Sequence, residues 1–216
     1  MEQMSEILFI CMSLPMILIL FVLPDKKSRL FLGYLIIGTL ICLIAGALNI
    51  FLLGLFDNDV NYVTTAITPI SEELLKAIPV LYFALVFSDD RETLLSISFS
   101  LGIGFAILEN AVILVQNISS VSIIWALARA IGTALMHGAC TAFSGIGISY
   151  VHKRRKLFFC GTFALLIAAV ITHATFNVLV QSHFRVAAFI LPSLLYIPFI
   201  IREFIKRRKK APAHKK

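Results

Sequence analysis

Six ionisable side chains stand inside long apolar stretches of this chain, away from any polar hinge: Glu72, Glu73, Lys76, Glu109, His137 and His173. A charge at the centre of a bilayer costs ~2.5–3.5 kcal/mol on insertion scales, so three carboxylates and a lysine left unpaired would cost on the order of 10 kcal/mol. Such a set persists only if it is paired or put to use. Taken singly, each member has a plain structural role available. Glu73 and Lys76 could be a simple ion pair, and a lone histidine or asparagine, such as Asn110 or Asn177, often joins two membrane helices by a hydrogen bond. Taken together, carboxylates and imidazoles are the groups of hydrolysis. A glutamate can act as general base on water. Histidine and asparagine can donate hydrogen bonds to an oxyanion. A Glu/His set can also hold Zn²⁺ with a position open for water. The residue types alone leave zinc chemistry and a metal-free glutamate mechanism equally open. Other intramembrane proteases are excluded. No Asp lies inside an apolar run, no HExxH occurs, and Ser144-Gly145 has no catalytic partner arrangement.

The spacing agrees with a shared site. Lys76 is four residues from Glu72 and three from Glu73, so on a helix it reaches either carboxylate. Arg129, Thr133, His137 and Thr141 step by four and form one polar stripe, with Arg129 near enough to the outer end to snorkel. His173 and Asn177 share a helix face. Pro69 and Pro79 bracket the glutamate pair, and each removes a backbone N–H and disturbs the preceding turn. Interrupted helices of this kind line sites or cavities in membranes.

The elements that must position these residues are membrane spans. The chain has 216 residues, 59% hydrophobic and 14% charged, with mean hydropathy +0.94, whereas a soluble domain carries ~25% charged residues. This excludes a disordered chain, a secreted disulfide scaffold and an ordinary cytosolic enzyme. It also argues against a nucleic-acid binder despite the net charge of +7. Cys11, Cys42, Cys140 and Cys160 lie in apolar runs without CxxC spacing and read as small packing residues. Seven apolar runs, roughly 5–24, 30–56, 63–87, 93–117, 123–151, 157–181 and 186–201, predict an all-α polytopic bundle of about seven spans. The first reads as a retained span, because Glu2 and Glu6 occupy what would be a basic n-region. Residues 1–216 form a single transmembrane domain with a basic tail over 202–216. Small residues at Ser98, Gly102 and Ala106, and at Gly138 and Ala142, predict close helix contacts.

Of the 19 Lys and Arg residues, all but Lys76, Arg129 and Arg185 fall in hinges on one side of the bundle or in the tail. The positive-inside rule therefore predicts an outer N-terminus and a cytoplasmic C-terminus. With that orientation, depth follows from a rise of 1.5 Å per residue. Glu72 lies ~14 Å below the outer end of its span, Glu109 and His173 ~12 Å, and His137 ~15–24 Å. Four groups on four helices thus share one layer between the outer surface and the midplane.

Four runs resemble the motifs of the PrsW family of membrane proteases. They are Glu72-Glu73-Leu-Leu-Lys76, Phe105-Ala-Ile-Leu-Glu109-Asn110, His137-Gly-Ala-Cys-Thr141 and His173-Ala-Thr-Phe176-Asn177. They match EExxK, FxxxEN, HxxxS/T and HxxFN, in order, over a core of roughly 66–180. The resemblance implies a bacterial, multi-pass cell-membrane endopeptidase. Its expected act is the first, extracytoplasmic-side (site-1) cut in a single-span anti-sigma factor of the RsiW kind, as part of a stress response. The family is distantly similar to CAAX prenyl proteases and bacteriocin-processing enzymes. Carried over, Glu72 would activate water with Glu73 as its electrostatic partner, and His173 and Asn177 would bind the oxyanion. Glu109 stands where CAAX proteases carry a histidine. Lys76, Phe105, Asn110 and Thr141 would support the site. If the enzyme uses a metal, as the label metalloprotease often given to the family implies, the ligands would come from Glu72, Glu109, His137 and His173, with zinc the natural ion.

The competing reading is a proton- or cation-coupled transporter, which also needs intramembrane Glu and His. It predicts an inverted repeat, and none is found in the sequence. The orientation is directly testable. Reporter fusions after Arg29 and Lys156 should read cytoplasmic, and a fusion near Asn58 extracytoplasmic. An extracytoplasmic signal at Lys156 would overturn the orientation and the depth estimate together.

Overall fold

In the computed structural model, residues 2–210 are described, and every long element is a helix. Each of the seven apolar runs forms one. They are α1 (Glu2–Val22), α2 (Lys26–Leu55), α4 (Thr68–Val86), α5 (Arg91–Gln116), α6 (Ile123–Ile148), α7 (Arg155–Gln181) and α8 (Arg185–Lys210). A short α3 (Val60–Tyr62) and a π-helical turn (Val63–Ile67) lead into α4. Among the described residues, α1, α2, α5, α6 and α7 are long and apolar enough to cross a membrane. In α4 the three charges interrupt an otherwise apolar helix of 19 residues, and in α8 a shorter apolar stretch, Arg185–Ile197, falls among the described residues. Residues 211–216 of the expected basic tail, and the side chains of 202–210, lie outside the described residues.

Short polar caps stop and restart the chain. Asp25 accepts from the Ser28 N–H at 2.8 Å and opens α2, and Asp90 accepts from the Thr93 N–H at 2.8 Å and opens α5. The Ser28 hydroxyl, with the N–H of the same residue, holds the Asp25 carboxyl below the usual aspartate range, and the Thr93 N–H, with the Thr93 hydroxyl, does the same for Asp90. Asp57 and Asn58 take the left-handed conformation, with φ of 52° and 59°, which Asp and Asn tolerate better than most residues. They turn the chain from α2 toward α3. Pro69 has no N–H to offer the turn before it, and that turn is π-helical, the Thr68 N–H bonding back to the Val63 carbonyl.

The consecutive helices α5 and α6 run antiparallel, whereas α2 and α5 run in the same direction, Phe31 lying against Ser100 and Leu35 against Gly104; side chains join the hinges at each end. Lys153, after α6, donates to the Asp89 carbonyl at 2.6 Å, before α5. At the opposite end Gln181 of α7 donates to the Thr64 hydroxyl at 3.1 Å. The two helices that flank α5 lie against it backbone to backbone. A Cβ on Gly38 would collide with the Leu101 carbonyl, and one on Gly104 with the Leu35 carbonyl, so α2 and α5 meet at two points. On the other face, Gly102 sits against the main chain of His137 in α6, where the small-residue pattern places a contact. This packing holds α2, α5 and α6 at fixed separations around the inner face of α4.

Replacing Gly104 by Ala should therefore force α2 off α5. Overpacking of this kind costs ~1–3 kcal/mol. At ~2–4 °C per kcal/mol for a chain of this length, the thermal midpoint in detergent should fall by several degrees. Gly33→Ala, where an added Cβ meets nothing within 4 Å, should leave it unchanged.

Candidate active site

Glu73 sits at the junction of three helices. Its Oε1 accepts from Lys76 Nζ at 2.6 Å, within α4, and from His173 Nδ1 at 2.9 Å, from α7. Lys76 continues the chain of contacts to α6, where its Nζ lies 2.8 Å from His137 Nδ1. The ammonium also lies 4.4 Å from the centre of the Phe105 ring on α5, a cation–π contact. Glu73 and Lys76 are fully buried.

The two histidines are polarised in opposite directions. An ammonium has protons to give and no lone pair, so His137 Nδ1 is the acceptor and the ring's own proton sits on Nε2. That N–H donates to Glu109 Oε2 at 3.1 Å. The other Glu109 oxygen faces Arg129 Nη2 at 3.7 Å. In His173 the order is reversed. Nδ1–H donates to the Glu73 carboxylate, which leaves the Nε2 lone pair uncovered. That lone pair faces Glu72 Oε2 at 3.8 Å. Glu72 Oε2 is buried and has no hydrogen-bond partner, while Oε1 accepts from Asn49 Nδ2 of α2 at 3.2 Å. The two imidazole rings stand edge to face, 4.9 Å apart.

Glu72, Glu109, His137 and His173 thus come together from α4, α5, α6 and α7. The neighbouring motif residues are arranged around them. Phe105 packs under both Lys76 and His137, its ring centre 4.8 Å from that of the imidazole. The Thr141 hydroxyl donates to the main-chain carbonyl of His137 at 2.8 Å. Asn110 pairs with Thr133 at 2.6 Å and ties α5 to α6. Asn177 has its partner outside this cluster. Its amide donates to the Thr64 carbonyl in the π-helical turn at 2.9 Å, so it anchors the segment that leads to Glu72. Two participants were not singled out from the sequence, Asn49 and Ser71. Ser71 Oγ donates to Asn49 Oδ1 at 3.0 Å. The available signal was Asn49 itself, an amide in an otherwise apolar helix.

A family model described as PrsW family intramembrane metalloprotease matches residues 26–202. The chain belongs to the PrsW family. No curated protein and no solved structure matches it. As a PrsW-family member the chain is a membrane-embedded peptide-bond hydrolase, and the family's description as a metalloprotease calls for a cation-binding donor set. The site fits one. A nitrogen lone pair and an unpartnered carboxylate oxygen facing each other in a buried place are two acceptors without a donor, an arrangement that a cation satisfies. One ligand atom each from Glu72, His137 and His173 lies within 4.8 Å of the others. Glu73 on His173 Nδ1 would orient that histidine as a ligand and raise its basicity. His137 is the conditional member. Ligation through Nε2 requires its proton to sit on Nδ1 instead, with Lys76 held by Glu73 alone.

The Glu73–Lys76 pair should be indispensable to folding in one direction only. Lys76→Met leaves a carboxylate buried without its cation, a change that costs ~3–5 kcal/mol. The thermal midpoint in detergent should fall by about 10 °C. Lys76→Met combined with Glu73→Gln removes both charges and should recover most of that loss. Equal midpoints for the single and double variants would show that the pair is not charged.

Proposed function

We propose that this PrsW-family chain makes the site-1 cut, on the extracytoplasmic side, in a single-span RsiW-like anti-sigma factor of a bacterial cell membrane, using zinc held by Glu72, His137 and His173. The observation that carries the proposal is the buried, unpartnered Glu72 Oε2 facing the His173 Nε2 lone pair at 3.8 Å. Zinc bound by these residues would polarise the scissile carbonyl and lower the pKa of water.

The chain's own residues divide the remaining work. Glu109 is the carboxylate with access to the outside of the site. Its side chain is 26% exposed, against 6% for Glu72 and none for Glu73. In this reading it accepts the proton of the attacking water and returns it to the leaving amine. Arg129, beside its other oxygen, balances the charge of Glu109 before and after that transfer. Glu73 keeps His173 in the tautomer that presents Nε2. Asn177 acts in this scheme by fixing the π-helical turn ahead of Glu72. The depth of the site, ~12–14 Å from the outer ends of α4, α5 and α7, supports a cut near the outer juxtamembrane part of a substrate span. A transporter would also keep Glu and His in the membrane, but the family favours hydrolysis.

The test uses purified chain in liposomes with an RsiW-like anti-sigma factor. Chelator should abolish cleavage and added Zn²⁺ restore it. Glu72→Gln and His173→Ala should lose both zinc and cleavage. Glu109→Gln should keep zinc and lose ~10²–10⁴-fold in kcat, the usual contribution of a general base. Activity indifferent to chelator would replace zinc by a metal-free glutamate mechanism. Near-wild-type cleavage by Glu72→Gln would overturn the site.

A further inference from the structure

We infer that Asn49, on α2 and outside all four sequence motifs, is a positioning residue that turns Glu72 into the site. This rests on the assignment of Glu72 proposed above. Past Arg29, α2 carries only Tyr34, Thr39, Cys42 and Asn49 as polar or sulfhydryl side chains. An amide in such a helix is retained for a partner, and both ends of this one are spent on two consecutive residues of α4. Nδ2 donates to Glu72 Oε1 at 3.2 Å, and Oδ1 accepts from Ser71 Oγ at 3.0 Å, whose one proton is shared with the Thr68 carbonyl at 3.0 Å.

The orientation of the amide follows from the chemistry. A carboxylate accepts and does not donate, so the NH₂ end must face Glu72, which turns Oδ1 to the Ser71 hydroxyl. With Oε1 held by Asn49, the second Glu72 oxygen is directed at His173 Nε2, where it has no other partner. Without Asn49, neither carboxylate oxygen has a hydrogen bond to fix it, and the side chain is free to rotate out of register with His173. The clamp is stiff because α2 is seated on α5 through Gly38 and Gly104. A donor on a rigid element that holds the oxygen not used for ligation is how outer groups tune metal affinity, typically by 10–100-fold.

The experiment measures Zn²⁺ affinity of the purified full chain by competition with a chromophoric chelator, together with kcat and KM for the liposome substrate. Asn49→Leu keeps the volume and removes the donor. It should lower zinc affinity ~10–100-fold and lower kcat with KM unchanged. Asn49→Gln retains an amide and should recover part of the affinity. Ser71→Ala frees the amide to turn and should lower affinity less than Asn49→Leu. Wild-type zinc affinity in Asn49→Leu, while Glu72→Gln has lost zinc, would overturn the role of Asn49 alone, even if the variant were less thermostable. Wild-type zinc affinity in Glu72→Gln would overturn the site assignment and this role with it. If Asn49→Leu does not accumulate, Ser71→Ala decides: lowered affinity supports the clamp, and wild-type affinity overturns it.

Discussion

The carboxylate of Glu73 and the ammonium of Lys76 meet at 2.6 Å with neither exposed, and the interior of the bundle is arranged around that pair. In a low-dielectric interior each charge alone is prohibitive, and together they still leave donors and acceptors to satisfy. Those remaining valences are what reach out to the other helices. Glu73 takes a proton donor from His173, and Lys76 gives one to His137 and rests on the face of Phe105. A pair whose first function is to neutralise itself therefore fixes the distance and rotation of α5, α6 and α7 relative to α4. It also sets the tautomer of both histidines. In the proposed mechanism, electrostatic necessity and catalytic preorganisation are served by the same contacts.

A polar core of this kind demands that helix backbones hold their spacing, because hydrogen bonds weaken steeply with error in distance and angle. Lipid supplies no hydrophobic drive for one helix to bury against another, so the spacing has to come from close contact and side-chain hydrogen bonds. Here α2 and α5 approach until a single Cβ at Gly38 or Gly104 would not fit, and Gly102 does the same against the His137 main chain. Ser100 adds a hydrogen bond from α5 to the Phe31 carbonyl of α2 at 2.6 Å, and Ser13 on α1 pairs with Thr39 of α2 at 3.2 Å. The small residues and the hydroxyls thus form a frame that carries no chemistry and sets the tolerance of the part that does.

Much of this was legible in the sequence because membranes restrict what a chain can do. Apolar runs of about 20 residues in lipid have to be helices, so all seven helices could be placed. Ionisable residues inside those runs are few enough that Glu72, Glu109, His137 and His173 could be assigned to one layer from their depth alone. Asn49 was not legible, since a lone amide in a membrane helix reads as helix–helix glue until its partner is known. The engagement of Asn177 was hidden for a different reason. Its acceptor is the Thr64 carbonyl in a π-helical turn, a backbone arrangement that the side-chain pattern does not encode. The tautomers of His137 and His173 were also out of reach, because each depends on whether a lysine or a carboxylate lies against Nδ1, and motif spacing does not specify contact between helices.

Those tautomers divide the site into two chemically distinct halves. On the α7 side Glu72 Oε2, which has no hydrogen-bond partner, faces His173 Nε2 at 3.8 Å, and in the proposed mechanism that half takes the cation. On the α5–α6 side Glu109 lies between His137 and the Arg129 guanidinium, and in the proposed mechanism its carboxylate takes and returns the proton. Peptide hydrolysis needs both, electrophilic activation of a carbonyl in one place and proton traffic from water to the amine in another. Here Glu73 and Lys76, three residues apart on one turn of α4, impose the opposite polarity on each histidine. The asymmetry of the EExxK segment, two acids followed by a base, is thereby converted into an asymmetry of the site. Exchanging the lysine for a second acceptor would leave His137 Nδ1 to donate rather than accept, and would present its Nε2 as a lone pair like that of His173.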